Sequence, residues 1–253
     1  MRIRRHFMHL PVVRGTIARR LLVNFRCDPD VLARLLPSPF RPRLVAGWGM
    51  AGICLIRLEN IRPTFLPALA GFCSENAAHR IAVEWNKDGC PSEGVFIPRR
   101  DTDSRLNEFA GGRIFSGVHH RACFSVFETT EAFTVKMQSA DGATYVQIQA
   151  HVAAALPPDS VFQSLDEASN FFQGGALGWS ARPKGDEFDG LELRCREWRM
   201  TPLEVSGVES SFFADQDLFP CGSAEFDSAF LMRDIAHEWH DRGRLAPVGL
   251  EES

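Results

Sequence analysis

The sequence predicts a mostly β protein built on an antiparallel sheet with a few short helices. At least seven short segments are apolar or alternate between apolar and polar residues, as strands do, and turn residues separate several of them. Only two segments carry the signals of a helix start. The 253 residues show no internal repeat and no low-complexity tract, so we expect one domain over residues 1–253. This number of strands is typical of a barrel or a sandwich.

The strands are expected in order along the chain, and Asp141-Gly142 is a hairpin signal between two of them. We predict them at 16–25, 47–57, 72–85, 94–97, 122–127, 132–139, 144–154 and 191–200, with a polar connection at 99–107 that could contain one helical turn. Successive side chains of a strand point to opposite faces. The third strand therefore presents two different faces, Glu75, Ala77 and His79 on one and Asn76, Ala78 and Arg80 on the other.

Each predicted helix has a capping residue. Asp28 precedes Pro29, an arrangement that suits the N-cap and first position of a helix, and Pro37 ends that helix. Ser164 and Glu167 have the spacing of a capping box, which opens the second helix.

The composition is that of an ordinary soluble globular protein, with 45% hydrophobic and 24% charged residues. The net charge of −4 argues against nucleic-acid binding, and no apolar run reaches the ~18 residues of a membrane helix. The basic start of the chain is followed by no apolar region of the signal-peptide type. Seven scattered cysteines without a C-x-x-C motif indicate free thiols in a reducing cytoplasm.

The first part of the chain is rich in arginine. Residues 1–43 contain ten arginines against Asp28 and Asp30. This segment could bind an anion or a protein partner. A solvated surface or salt bridges between subunits explain the same pattern.

A glycine-rich stretch, Gly111–His120, is the candidate ligand site. Its glycines permit positive φ and close backbone approach, and one arginine with two histidines supplies charge and titratable groups. A bulged strand with surface histidines is the competing interpretation. Adjacent residues of a strand face opposite sides, so only one of His119 and His120 can line a cavity.

The order of these segments resembles the acetoacetate decarboxylase-like superfamily, most closely its YqjF-like branch. The resemblance covers roughly residues 14–180. It is carried by the helix Asp28-Pro29-Asp30-Val31-Leu32-Ala33-Arg34-Leu35-Leu36-Pro37, the glycine-rich strand 47–57, the strand that starts Phe72-Cys73-Ser74-Glu75, and the Gly112-Arg113 segment before an apolar strand.

This resemblance implies a curved antiparallel sheet closed into a cone or barrel around a ligand cavity. The decarboxylases of the family carry a Schiff-base lysine followed by a second lysine, and these fall on His119 and His120 here. The glutamate that precedes the family's lysines falls on Arg113. The family's strand glutamate falls on Glu75, and a family arginine falls at or next to Arg19.

The departure at His119 changes the chemistry that can be expected. Imidazole is not a primary amine, so it cannot form the imine that decarboxylation by this family requires. We expect a small carbonyl or carboxylate ligand, with His119 and Glu75 as an acid–base pair in a lyase or hydrolase. The alternative is a non-catalytic ligand-binding module on the same scaffold.

Further residues are expected around the ligand, and no cofactor or metal is expected. The substrate-binding candidates are Arg113, Arg19, His120, Trp48 and Phe96. The only close pair of histidines in the tail, His237 and His240, is not a metal site by itself. We expect the protein to form a homo-oligomer.

Schiff-base chemistry by a lysine is predicted to be absent. The three lysines are Lys87 in a turn, Lys184 in a loop and Lys136 on the polar face of a strand. We expect that incubation with acetoacetate or pyruvate followed by borohydride leaves the protein mass unchanged. A lysine-dependent decarboxylase, treated in the same way, is the positive control. A stable adduct on Lys136 would overturn the prediction.

Overall fold

The structure is a computed structural model that describes residues 11–87, 89–110, 117–183 and 187–247. The predicted residues Arg113 and Lys184 lie outside these ranges. Most of the described chain is strand, which confirms the mostly β prediction.

The strands and helices alternate irregularly along the chain. In order, they are β1 (Val13–Cys27), α1 (Pro29–Leu35), β2 (Arg41–Pro42), β3 (Leu44–Val45), β4 (Trp48–Pro63), β5 (Phe72–Lys87), β6 (Cys90–Thr102), α2 (Arg105–Ala110), β7 (His119–Glu128), β8 (Ala132–Ser139), β9 (Tyr145–Val152), α3 (Leu165–Gly174), β10 (Leu177–Ala181), β11 (Phe188–Cys195), β12 (Thr201–Ser210), α4 (Ser211–Ala214) and β13 (Ala224–Leu245), with a 3-10 turn at Ala68–Ala70.

All strands belong to one sheet, and five of them form its spine. β1 pairs with β13 on one side and with β4 on the other, and β5 and β6 continue this order. Two paths lead from β6 back to β13. One runs through β7, β8, β9 and β12, and the other runs through β10 and β11. The pairing is antiparallel except where β6 meets β7 and β10. The strands form a partial ring. Its β6–β7 and β12–β13 junctions are short, with three residue pairs each.

Both faces of the spine are buried. Leu21, Leu55 and Ala77 belong to one hydrophobic cluster, and their face is called the core face below. The side chains of Leu22 and Cys54 belong to a second cluster on the opposite face, called the cavity face. A strand buried on both sides cannot show a clean alternation of apolar and polar residues.

The two predicted helices are present with their predicted caps. The Asp28 carboxylate accepts hydrogen bonds from the backbone N–H groups of Asp30 and Val31, and Pro29 is the first helical residue. The Ser164 hydroxyl accepts a hydrogen bond from the Glu167 N–H at 3.1 Å.

Several other elements differ from the prediction. β6 runs to Thr102, so much of the expected connection at 99–107 is strand. β10, β12 and α4 are not among the predicted elements, whereas α2 begins within the connection that could contain one helical turn. The tail around 235–240, for which the sequence allows a strand end or one helical turn, is part of β13. Among the described residues, no helix has the length and hydrophobicity needed to span a membrane.

His79 is a buried histidine on the core face. It is fully buried, its ring lies 4.8 Å from that of Phe212, and neither ring nitrogen has a hydrogen-bond partner among the described residues. Burial, aided by the nearby Arg99 charge, lowers the pKa of His79 to about 3. The imidazole is therefore neutral in the folded protein.

The neutral state of His79 predicts a loss of stability in acid. The unfolded chain protonates this histidine below its ordinary pKa of about 6.5, whereas the folded chain does not until about 3. The free energy of unfolding therefore falls as the pH drops through this window, by about 1.4 kcal/mol per pH unit for one proton. We expect the free energy of unfolding, measured by urea titration, to fall less in His79→Leu than in the wild type between neutral and mildly acidic pH.

The half-exposed His151 provides the matched control. His151→Gln should retain the full pH dependence of the wild type. An unchanged slope in His79→Leu would show that His79 is not buried in the neutral form.

Candidate functional site

A cavity opens on the cavity face of the spine, and His119 is in its wall. This compartment, called the His119 compartment, has a volume of about 100 Å³. Its wall is formed by Val13, Ile56, Leu58, Ile61, Asn76, Ala77, Ala78, Arg100, Asp101, Asn107, His119, Leu191 and Trp239. The register explains why His119 is here, because His119 on β7 pairs with Arg100 on β6, which in turn pairs with Ala78 on β5. Directly paired residues share a face.

The His119 ring is held in one orientation. Its Nδ1 lies 3.2 Å from the Gly117 carbonyl oxygen, so Nδ1–H donates and Nε2 keeps its lone pair. Gly117 has a φ of +77°, which suits glycine. Burial and the Arg100 charge lower the pKa of His119 to about 3, so the free site holds a neutral imidazole.

A second compartment adjoins the first and is called the Cys54 compartment. It measures about 90 Å³, and Ile56, Ala78, Arg100, Leu191 and Trp239 line both compartments. Arg20, Cys54 and Arg80 are found only in the wall of the second. Both compartments are small, so the cavity suits a ligand of a few heavy atoms.

Three guanidinium groups line this cavity without a carboxylate partner among the described residues. Arg80 is 6% exposed and donates to the Asn24 side-chain oxygen and to Cys54 Sγ. Arg100 donates among the described residues only to the Ser180 hydroxyl, at 3.3–3.4 Å, and burial lowers the pKa of Arg100 to about 10. Arg20 contacts Cys54 Sγ at 3.5 Å. Buried cations are normally paired, so three guanidiniums without a described carboxylate partner are an unusual feature of this wall.

A polar network fixes the floor of the His119 compartment. The Asn76 side chain donates to the Ser74 hydroxyl at 2.9 Å and accepts from the Thr102 hydroxyl at 2.8 Å. Asn107 on α2 donates to both Asn76 and Thr102. These amides are therefore held in place for a ligand rather than free to rotate.

Glu75 and Arg19 lie on the core face, away from this cavity. Glu75 accepts hydrogen bonds from Arg19 at 2.5 Å and from Arg57 at 2.6 Å. Glu128 bridges the same two arginines at 2.8 and 2.5 Å. The group contains two carboxylates and two guanidiniums, so its charges balance. The structure thus does not bring Glu75 together with His119, and Arg19 is engaged by Glu75 and Glu128.

The other predicted ligand contacts also lie elsewhere. His120 is on the core face, 3.3 Å from the Asp141 carboxylate. Phe96 packs in the core against Phe40, with ring centroids 5.7 Å apart. A bulge in β6 between the pairs His79–Arg99 and Ile81–Phe96 turns Phe96 to the face opposite Arg100.

Trp48 begins β4 and forms a hairpin pair with Val45, and it is absent from the walls of both compartments. His237 and His240 stand three residues apart on a strand and so face opposite sides. No cluster of metal-ligating side chains is found in the described part of the chain. Lys87 and Lys136 are exposed and lie outside both compartments.

Arg20, Cys54, Arg80 and Arg100 line this cavity but are not among the residues that the sequence predicts for the site. A signal for two of them was present, because the Arg19-Arg20 and Arg99-Arg100 pairs each place one arginine on either face of a strand. In both pairs the core-face arginine binds carboxylates, whereas the cavity-face arginine binds none in the described part of the chain.

Comparisons with solved structures show which fold this is, although neither a protein-family model nor a curated protein matches the sequence. An acetoacetate decarboxylase from Legionella pneumophila aligns at 11% identity and a TM-score of 0.63, covering 94% of this chain and 88% of that one. An acetoacetate decarboxylase-like enzyme from Sphingomonas wittichii RW1 aligns at 15% identity and 0.58, covering 94% of both chains.

The enduracididine biosynthesis enzyme MppR, solved with pyruvate, aligns at 11% identity and a TM-score of 0.58, covering 96% of this chain and 92% of that one. The chain therefore has the acetoacetate decarboxylase-like fold, as the resemblance implied.

The position of Glu75 predicts a structural role. Glu75→Gln removes one of the two charges that balance Arg19, which is 2% exposed. Breaking a buried ion pair lowers the free energy of unfolding by about 3 kcal/mol. Glu204→Gln, at an exposed pair with His151, should change it by less than about 0.5 kcal/mol. If Glu75→Gln instead abolished a turnover without destabilising the fold, the catalytic interpretation of Glu75 would return.

Proposed function

We propose that the cavity binds a small carboxylate that also carries a carbonyl group. One observation carries this proposal: Arg20, Arg80 and Arg100 line the cavity and have no carboxylate partner among the described residues, since Asp101, the one described carboxylate in the wall, is bound by Arg99. Among these, Arg100 is the best candidate for the carboxylate, because it lines both compartments and its NH1 group has no partner among the described residues. Guanidinium is well suited to bind a carboxylate through two hydrogen bonds.

The binding of an anion would change the state of His119. The positive charge of Arg100 contributes to the low pKa of the imidazole. A bound carboxylate offsets that charge, which moves the His119 pKa back towards neutrality. Nε2 is then able to take a proton from the ligand or to donate one to its carbonyl oxygen. We infer acid–base catalysis of enolisation, hydration or hydrolysis, without imine formation.

The fold likeness supports the size and class of ligand. MppR of the same fold was solved with pyruvate, a small 2-oxo carboxylate. We propose that this chain takes a ligand of that class, and that it belongs to the YqjF-like branch of the superfamily.

The non-catalytic alternative, a ligand-binding module, rests on the low pKa of His119. An imidazole of this kind is a poor base unless the ligand itself raises its pKa. Turnover of the bound compound separates the two functions.

The proposed cellular location and oligomeric state rest on the cysteines and on two exposed apolar side chains. All seven cysteines are among the described residues and are free, which supports a reducing cytoplasm. Phe65 and Leu69 are 74% and 101% exposed on neighbouring turns, which supports burial against another copy of the chain. A monomeric mass in light scattering would exclude the homo-oligomer.

The carboxylate proposal predicts a loss of binding when Arg100 is neutralised. In calorimetric titrations with pyruvate and acetoacetate, Arg100→Met should weaken binding by about tenfold or more, since a hydrogen bond to a charged group contributes about 1.5–3 kcal/mol. The matched control is Arg199→Met, because the Arg199 side chain is 76% exposed and outside the cavity. Equal affinities in the wild type and Arg100→Met would contradict the proposal.

His119→Ala distinguishes an enzyme from a binding module. In an enzyme this variant should still bind the compound but no longer convert it. A wild-type protein that binds the compound and returns it unchanged would establish the non-catalytic alternative for that compound.

A further inference from the structure

The Cys54 compartment contains a cysteine held between two cations. Arg80 Nε donates to Cys54 Sγ at 3.1 Å, and Arg20 NH2 donates to it at 3.5 Å. Both guanidiniums come from neighbouring strands of the spine, β1 and β5, and converge on the thiol from β4 between them. Such an arrangement is typical of reactive thiolates, whereas inert buried cysteines lie in apolar surroundings.

The charges around Cys54 favour its ionised form. Burial raises the pKa of the thiol, but the charges and hydrogen bonds of Arg20 and Arg80 outweigh this effect, and the net pKa lies below the ordinary value. The remaining walls contribute Arg100 from β6 and apolar residues from β11 and β13, and no described residue contributes a carboxylate. A thiolate would offset one of the three cationic charges and would leave the others for an anionic ligand.

Cys27 shows that burial alone does not produce this environment. It is buried like Cys54, but its thiol donates to the Phe25 carbonyl at 3.7 Å and has no guanidinium beside it. Burial raises the pKa of Cys27 to about 12. The two cysteines thus form a natural comparison within one chain.

The position of Cys54 also suits a ligand held by Arg100. Arg100 lines both compartments, so a carboxylate at Arg100 leaves the rest of a small molecule next to either His119 or Cys54. Arg80 NH1 has no hydrogen-bond partner among the described residues.

We propose that Cys54 is the nucleophile of this cavity and adds reversibly to the carbonyl carbon of a small oxo acid. The sulfur lone pair forms the S–C bond, and the π electrons of the carbonyl move to its oxygen. The resulting alkoxide accepts hydrogen bonds from the guanidiniums or takes a proton from water, which gives a hemithioketal. This step needs no oxidant and no amine. The carbonyl addition rests on the proposed function, whereas the nucleophilicity of Cys54 does not.

The first test measures the alkylation rate of each cysteine in the native protein. Iodoacetate and iodoacetamide are the probes, with peptide mass spectrometry as the readout. Cys54 should react at least about tenfold faster with the anionic iodoacetate than with iodoacetamide, because the cationic cavity concentrates anions. The exposed cysteines, Cys73, Cys90, Cys123 and Cys221, should not show this preference.

Two variants test the cause of this reactivity. Arg80→Met should slow the alkylation of Cys54 by about tenfold or more and remove the preference for iodoacetate. If that variant fails to fold, Arg20→Met serves the same purpose, since Arg20 is only partly buried. We expect Cys27 to resist both reagents until the protein unfolds. The same resistance of Cys54 would overturn the proposal.

The second test follows the carbonyl carbon itself. Pyruvate labelled with carbon-13 at its carbonyl should give a tetrahedral-carbon resonance with the wild type that is absent with Cys54→Ser, and pyruvate in buffer provides the reference for its hydrate. If pyruvate binds calorimetrically but this resonance and the rapid alkylation are both missing, the nucleophile is excluded while the proposed function stands. If pyruvate does not bind, the proposed function fails for this ligand and the alkylation rates still decide the role of Cys54.

Discussion

The alternation of side chains along β1, β4, β5 and β6, interrupted at a few bulges, governs this molecule. These strands separate a hydrophobic core from a cavity that is lined by apolar residues and three guanidiniums. Arg19 and Arg20 are neighbours in sequence, yet one is held by two carboxylates and the other lies beside a thiol. A register slip of one residue in β1 would exchange the two arginines between the faces, together with every other side chain of the strand.

The two faces handle charge in opposite ways. On the core face, Glu75 and Glu128 neutralise Arg19 and Arg57, and Asp101 and Asp141 neutralise Arg99. The guanidiniums of the cavity face contact only sulfur atoms, hydroxyls, amides and aromatic rings among the described residues. The two faces thus differ in whether described carboxylates offset their arginines, and the proposed anion site lies on the cavity face.

The sequence was sufficient for the general fold and for part of the cavity. Alternation correctly separated Asn76 and Ala78 from Glu75 and His79, and it allowed only one of the two adjacent histidines in a cavity. Alternation does not predict the second half of β6, because residues 99–101 carry charges on both faces and therefore have the composition of a loop. Phe96 lies on the core face because a bulge, which has no clear sequence signal, reverses the faces of β6. Cys54 was passed over because its two arginines come from other strands.

The pairing of β1 with β13 has a consequence for how the cavity is assembled. Arg20 and Met232 meet across this pair although 212 residues separate them in the chain. Such contacts form late, since the entropy of closing a long loop must be overcome before they contribute. Until β13 arrives, the outer edge of β1 is an unpaired strand next to the cationic wall, open to pairing with another chain. When β13 joins the sheet, it therefore completes the cationic wall and covers the exposed edge of β1 in a single step.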